Sequence, residues 1–182
     1  MRKLIYHVGA TLDNFIAHED GSTDGFLYEG EHVTDYTQSL QGYDTVLMGK
    51  KTYEFGYQYG LQPGQPAYPH MKNYVFSKSM PSDAFTPHEQ FEIVTENEAA
   101  FIQQLKATAG SPIYLCGGGS FAGFLLEQGL IDELKVKLYP VLFGKGIPLF
   151  KTDKDVKLSL LASKVYETGV VLVSYQIQQS EL

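Results

Sequence analysis

At 182 residues the chain is long enough to bury a core without disulfides or a structural metal, and its single cysteine, Cys116, excludes an intrachain disulfide and a cysteine zinc site. A formal net charge of −7 argues against general binding to nucleic acid or acidic membranes, although local lysines and backbone amides can still hold an anion. With 43% hydrophobic and 19% charged residues the chain is globular.

The opening MRKLIYHVGATLDNF is a poor signal peptide, because His7 and Gly9 break its apolar run. No apolar run approaches the ~20 residues of a membrane span, so a cytoplasmic protein is expected. Leu4–Ala10 reads as a buried strand, Glu31–Leu40 as a helix, Tyr43–Gly49 as a strand and Lys50–Gly56 as a short helix. LQPGQPAYP (Leu61–Pro69) reads as a surface loop rather than a domain boundary. Lys72–Lys78 and Phe91–Thr95 follow as strands. Asn97–Gly110 is a helix, with Asn97 a candidate cap and Ala100, Phe101, Leu105 and Ala109 as its apolar stripe. Pro112–Gly117 is a strand and Phe121–Gly129 a helix.

After Gly129 the pattern changes. Glu133–Phe143, Leu158–Glu167 and Gly169–Gln178 read as strands with turns and no helix between them. Strands alternating with helices imply crossovers and parallel pairing; the last strands imply antiparallel additions at an edge. The expected fold is α/β: one domain over 1–182, with a single mixed, mostly parallel sheet flanked by helices and antiparallel C-terminal strands.

Three strand ends carry chemistry suited to phosphate. In YLCGGGSFAGFLLEQG, Gly117, Gly118 and Gly119 sit between a strand and a helix, where N–H groups and the helix dipole favour an anion. Gly117, Gly119 and Ala122 match G-x-G-x-x-A, but no acidic residue follows ~20 positions on, which excludes a standard dinucleotide fold. The competing reading is a tight packing turn. In LMGKKTYEFG a strand ends at Gly49, and Lys50, Lys51 and Thr52 cluster at a helix start, where a bound anion would relieve the opposed charge. VFSKS adds Ser77 and Lys78.

These strand ends, in this order, resemble the dihydrofolate reductase superfamily, and most closely the reductase domain of the bifunctional riboflavin-biosynthesis deaminase/reductase and small stand-alone bacterial proteins built on it. The matching stretches are ATLDNFIAHEDGSTDGF, VLMGKKTYE, VFSKSM, IYLCGGGSFAGFLLEQGLIDEL and LYPVLFGKGIPLF, which span nearly the whole chain. The resemblance implies a dihydrofolate reductase-like fold and an NADPH-dependent reductase of a small heterocycle, pterin- or pyrimidine-like. It implies that Gly117, Gly118 and Gly119 approach the pyrophosphate, and that Gly49 and Thr52 meet it at the helix start. It places Lys50, Ser77 and Lys78 near the adenosine 2′-phosphate, and Ile16 and Ala17 by the nicotinamide. Lys50 stands where the family usually has arginine, which keeps the charge but loses the bidentate fork. Asn14 replaces a common glycine, in a turn that asparagine tolerates.

The substrate side is less legible. Glu31 and Asp35 lie near, but not at, the helix position where folate reductases carry an acid; Val33 occupies it. Asp13 and Asp24 read as turn formers, His7 as a satisfied core or sheet-face histidine, and Cys116 as a small apolar packer. YEFGYQYG (Tyr53–Gly60) could stack on a planar ring or pack under a loop. The five histidines show no metal-ligand spacing, so no metal is expected. The apolar alternation of the last strands is most simply covered by a homodimer. Two alternatives to a reductase stay open: a catalytically inactive nucleotide- or cofactor-binding protein of the same fold, and a flavin-binding protein.

Overall fold

The computed structural model describes residues 1–81, 83 and 85–178. LIYHVGAT forms β1 (Leu4–Thr11), in which Leu4, Tyr6 and Ala10 enter one core cluster and Ile5 another, as the period of two requires. After a turn with Asn14 at φ 67° comes β2 (Phe15–Ala17). The chain continues through α1 (Glu31–Leu40), β3 (Thr45–Gly49) and α2 (Lys50–Phe55), the last extended by a 3-10 turn at Gly56–Tyr59. Then follow β4 (Lys72–Phe76), β5 (Phe91–Val94), α3 (Glu98–Ala107), β6 (Ile113–Gly117) and α4 (Gly119–Glu127). Strands β7 (Glu133–Tyr139), β8 (Ile147–Pro148), β9 (Leu158–Val165) and β10 (Val171–Ile177) complete it.

The main sheet has eight strands in the order β5-β4-β3-β6-β1-β7-β10-β9. Strands β5 to β7 of that order pair in parallel, and β10 and β9 join antiparallel. This is the expected mixed sheet. One face packs Leu4, Tyr6, Leu47 and Leu115 against Ile102 of α3 and Ala122, Leu125 and Leu126 of α4. The other packs Ile5, Val46, Met48 and Tyr114 with Leu40 of α1 and Tyr53 of α2. Each buried Leu or Ile contributes about 1.5–3 kcal/mol, so both faces hold the helices down.

Several boundaries differ from the sequence reading. The strand expected over Glu133–Phe143 stops at Tyr139, because Asp13 accepts N–H bonds from Phe143 and Gly144 and folds that segment into a turn. Asn97 does stand at the N-cap of α3, but its left-handed backbone (φ 55°) leaves it no side-chain cap bond. The helix also ends at Ala107, short of Gly110. Strands β2 and β8 form a second, two-stranded sheet that the sequence did not announce.

That small sheet lies against α4 through glycines. A Cβ on Gly119 would sit 2.0 Å from the Pro148 carbonyl oxygen, and one on Gly123 would sit 2.2 Å from that of Lys151. The Lys151 N–H also donates to the Gly119 carbonyl at 3.0 Å. Backbone therefore packs directly on backbone, which only glycine permits. Gly123→Ala is expected to cost about 1–3 kcal/mol or more by overpacking. The midpoint of urea unfolding measures it; an unchanged midpoint would mean the two segments are not in contact.

Candidate functional site

Strands β4, β3 and β6 are adjacent and parallel, so their carboxyl ends share one edge, where ligands bind in parallel α/β sheets. The turns after β3 and β6 touch: a Cβ on Gly49 would lie 3.6 Å from Phe121 Cβ and 3.8 Å from the Gly117 carbonyl oxygen. Gly117 has φ 123°, a region side chains rarely adopt, and the Gly117–Gly118 peptide is cis. Above Gly118, a Cβ would meet Thr52 Oγ1 at 3.2 Å and Ile16 Cδ1 at 3.8 Å. The structure thus brings Gly118, Thr52 and Ile16 to one point from three separate elements. Neither α2 nor α4 has a side-chain N-cap bond, which leaves their first N–H groups directed at this edge.

Lys50 Nζ donates to Ser79 Oγ at 3.2 Å and lies 3.7 Å from Glu54. Ser77 is buried, and its Oγ accepts the N–H of Ser79 at 3.2 Å and of Met80 at 3.0 Å. It shapes the loop that presents Ser79, the other hydroxyl of VFSKS. Lys78 is 79% exposed and reaches toward Glu98 of α3 at 3.8 Å. Gly119 is enclosed by Pro148, so its lack of a side chain answers to packing. Ala17 is buried in β2, next to half-buried Ile16.

On the α1 face of the sheet a second group of polar side chains gathers. Tyr36 Oη and Tyr114 Oη are 2.7 Å apart, and Tyr68 Oη lies 3.6 Å from Cys116 Sγ. Burial pushes the phenols of all three tyrosines and the Cys116 thiol up, so every member is neutral. Cys116 therefore takes part in a polar cluster rather than only filling space. Lys137 is buried with its Nζ 3.4 Å from the centre of the Tyr36 ring, and burial lowers its pKa to about 8. His7 packs edge-on against the same ring at 5.0 Å, and neither of its nitrogens has a hydrogen-bond partner. The satisfied histidine expected from the sequence is thus an unsatisfied one. Burial, with Lys137 and Lys135 adding to it, lowers its pKa to about 3.

The acids do not enter this cluster. Glu31 and Asp35 both bind Lys164, at 2.7 and 2.6 Å, and Tyr166 donates to Asp35 at 3.0 Å. Asp13 holds the 143–144 turn, as a turn former should. Asp24 accepts a bond from His18 through its backbone carbonyl. In YEFGYQYG, Tyr53 is buried, with its hydroxyl donating to the Gln65 carbonyl, while Tyr59 is 70% exposed. Tyr53 is a packing residue, and the ring beside the glycine turn is Tyr6, whose Cε2 and Oη would lie 3.5 Å from a Cβ on Gly117.

A mostly parallel mixed sheet flanked by helices, with antiparallel C-terminal strands, is the dihydrofolate reductase-like fold. The chain belongs to the RibD C-terminal domain family, whose model matches residues 2–172; this is the reductase domain of riboflavin-biosynthesis enzymes. It is 34% identical over 175 residues to the uncharacterized protein YwjB of Bacillus subtilis (strain 168), covering 94% of this chain and 96% of that one. Among solved structures it resembles a Shewanella sp. PV-4 protein named for riboflavin biosynthesis, with a TM-score of 0.81 at 21% identity over 98% of this chain and all of that one. It also resembles the Thermotoga maritima diaminohydroxyphosphoribosylaminopyrimidine deaminase/5-amino-6-(5-phosphoribosylamino)uracil reductase, with a TM-score of 0.70 at 14% identity, covering 97% of this chain and 57% of that one. Among the described residues, no helix is long and apolar enough to cross a membrane.

His7 makes a testable contribution to stability. It stays neutral in the fold down to about pH 3, whereas in the unfolded chain it protonates below about 6.5. The unfolded state therefore binds the extra proton between these values, and stability falls as pH drops through that window by up to about 1.4 kcal/mol per unit. Urea unfolding at pH 7, 6, 5 and 4 is expected to show a shallower loss for His7→Phe than for the parent. Equal slopes would refute the assignment.

Proposed function

We propose that this protein is an NADPH-dependent reductase of a small heterocyclic substrate, folded as one domain over 1–182 and acting as a cytoplasmic homodimer. The observation that carries the reading is the convergence of Gly118, Thr52 and Ile16 at the edge where β3, β4 and β6 end. Glycine there leaves room for a ligand to reach the backbone, and the donor set suits a dinucleotide. Thr52 and the N–H groups of Gly118 and Gly119 would hold the pyrophosphate, in the turn that Gly49 and Gly117 shape. Lys50, with Ser79 beside it, would bind the 2′-phosphate, with Ser77 fixing that loop and Lys78 at its rim. Ile16 and Ala17 would form the apolar wall by the nicotinamide.

When bound, NADPH supplies the hydride. The chain binds and orients both partners and walls the reacting face from water with Ile16 and the β2–β8 sheet. Family membership supports a reductase-like role.

The dimer follows from the sheet edge. Strand β9 ends the sheet, with Leu160 at 60%, Leu161 at 50% and Val165 at 74% exposure. An apolar edge strand of this length invites pairing, and a second copy is the simplest cover.

Two experiments test these statements. Fluorescence titration with NADPH and NADH is expected to show tighter NADPH binding. Lys50→Ala should weaken NADPH by about 10–100-fold, the worth of a charged hydrogen bond, and NADH by much less. Binding of neither cofactor would sink the reductase reading. In sedimentation velocity the parent should run as a dimer and a Leu160→Glu, Val165→Glu double variant as a monomer; a monomeric parent would remove the dimer.

A further inference from the structure

Tyr6 stands where two parts of the ligand edge meet. It lies on β1 in register with Leu115 of β6, so its ring reaches toward the point where β6 runs into the glycine turn. Its Cε2 and Oη would both lie 3.5 Å from a Cβ on Gly117. The same hydroxyl donates to the carbonyl of Leu149 at 3.2 Å, in the segment that follows β8. Phe150 meets the ring edge-on at 5.2 Å between centroids. One side chain therefore touches both the glycine turn and the segment that carries the apolar wall above it.

Packing alone does not call for the hydroxyl. Tyr6 is completely buried, and a phenylalanine would fill the same space with no polar atom to satisfy. Burial pushes the phenol up, so it keeps its proton and donates. What the bond adds is position. The Leu149 N–H donates to the Asn14 carbonyl at 2.8 Å, and β8, just before it, pairs with β2. Asn14 leads directly into β2, and Ile16 of β2 would lie 3.8 Å from a Cβ on Gly118. The contacts run from Tyr6 through Leu149 and Asn14 to Ile16, and return to the residue after Gly117. A bond inside a core, where water cannot replace it, holds such a loop of contacts most firmly. The opposite end of the edge is remote from it. Strands β6 and β3 stand between β1 and β4, and Lys50, Ser77 and Ser79 bond among themselves and to Met80.

We propose that Tyr6 is a positioning residue for the nicotinamide end of the cofactor site, its hydroxyl setting the distance between the Gly117–Gly118 turn and the Ile16 wall through Leu149. The inference rests on the reductase reading above and says how the chain shapes that site. Removing the hydroxyl loosens the hold on the nicotinamide ring and leaves the adenosine end as it was.

The test is calorimetric titration of the full chain with NADPH and, separately, with 2′,5′-ADP, which has the adenosine and its 2′-phosphate but no nicotinamide. Tyr6→Phe is expected to weaken NADPH by about five- to tenfold, the worth of a buried hydrogen bond, and 2′,5′-ADP by less than about twofold. The emission of NADPH at saturation should move toward that of the free cofactor in this variant, because its nicotinamide is less well walled from water. Ile102→Val, in the same core cluster but on α3, controls for lost stability: it should lower the urea midpoint and leave both affinities unchanged. Phe150→Leu keeps the hydroxyl but frees the ring; it should show the same one-sided loss and serves if Tyr6→Phe does not fold. The inference is overturned if the folded variant binds both ligands as the parent does, if it weakens both equally, or if Ile102→Val gives the same split. A parent that binds neither ligand takes the reductase reading down and the inference with it, whereas a parent that binds both beside an unaltered variant removes the role of Tyr6 alone.

Discussion

The contact on which the site depends is backbone against backbone. The carbonyls of Pro148 and Lys151 sit where side chains on Gly119 and Gly123 would be, and a Cβ on Gly146 would lie 2.3 Å from the carbonyl of Ala17. These approaches let the segment around β8 lie flat between β2 and α4. Because β2 pairs with β8, Ile16 and Ala17 are held at a fixed height over the Gly117–Gly118 turn. Any side chain at Gly119 or Gly146 would lift that wall. The successive glycines are thus not equivalent: a side chain on Gly119 would strike the Pro148 carbonyl, whereas one on Gly118 would meet the side chains of Thr52 and Ile16.

Electrostatics divide the site the same way. The chain as a whole is acidic, with a formal charge of −7, yet lysines stand at two of the three strand ends, Lys50 and Lys51 after β3 and Lys78 after β4. Lys50 is half-exposed, beside Ser79, where a charge costs little and remains available. Lys137 is buried against the Tyr36 ring, where a charge is harder to keep. Glu31 and Asp35 pair with Lys164, which fastens α1 to β9, and Tyr166 adds a hydrogen bond to Asp35.

Much of the architecture was legible because the alternation of strands and helices, and its end after Gly129, follow directly from periodicity. The three strand ends could be picked out together because a glycine or hydroxyl follows each strand, with lysines beside two of them, Lys50 and Lys51 at one and Lys78 at the other. What was not legible depends on distant partners. Strands of three and two residues carry no period, so β2 and β8 could not be read. KVKLY looks like a strand with one solvent face; only the placement of α1 over it turns Lys137 inward. His7 fails for the same reason, because a histidine's partners come from other elements, and here none arrive. Asn97 has the right residue type for a cap but a left-handed backbone that points its side chain away from the task.

The sheet order also dictates a sequence in time. Strand β1 is central and is made first, yet its neighbours are β6 and β7, whose pairing residues, such as Ile113 and Glu133, are translated about a hundred residues later. At ribosomal rates of roughly 5–20 residues per second, LIYHVGAT waits on the order of ten seconds for either partner. Until then it is a bare, strongly apolar strand of the kind that chaperones hold, while β3, β4 and β5 already have one another. The protein therefore assembles from its flank toward its middle, and its oldest strand is among the last to be enclosed.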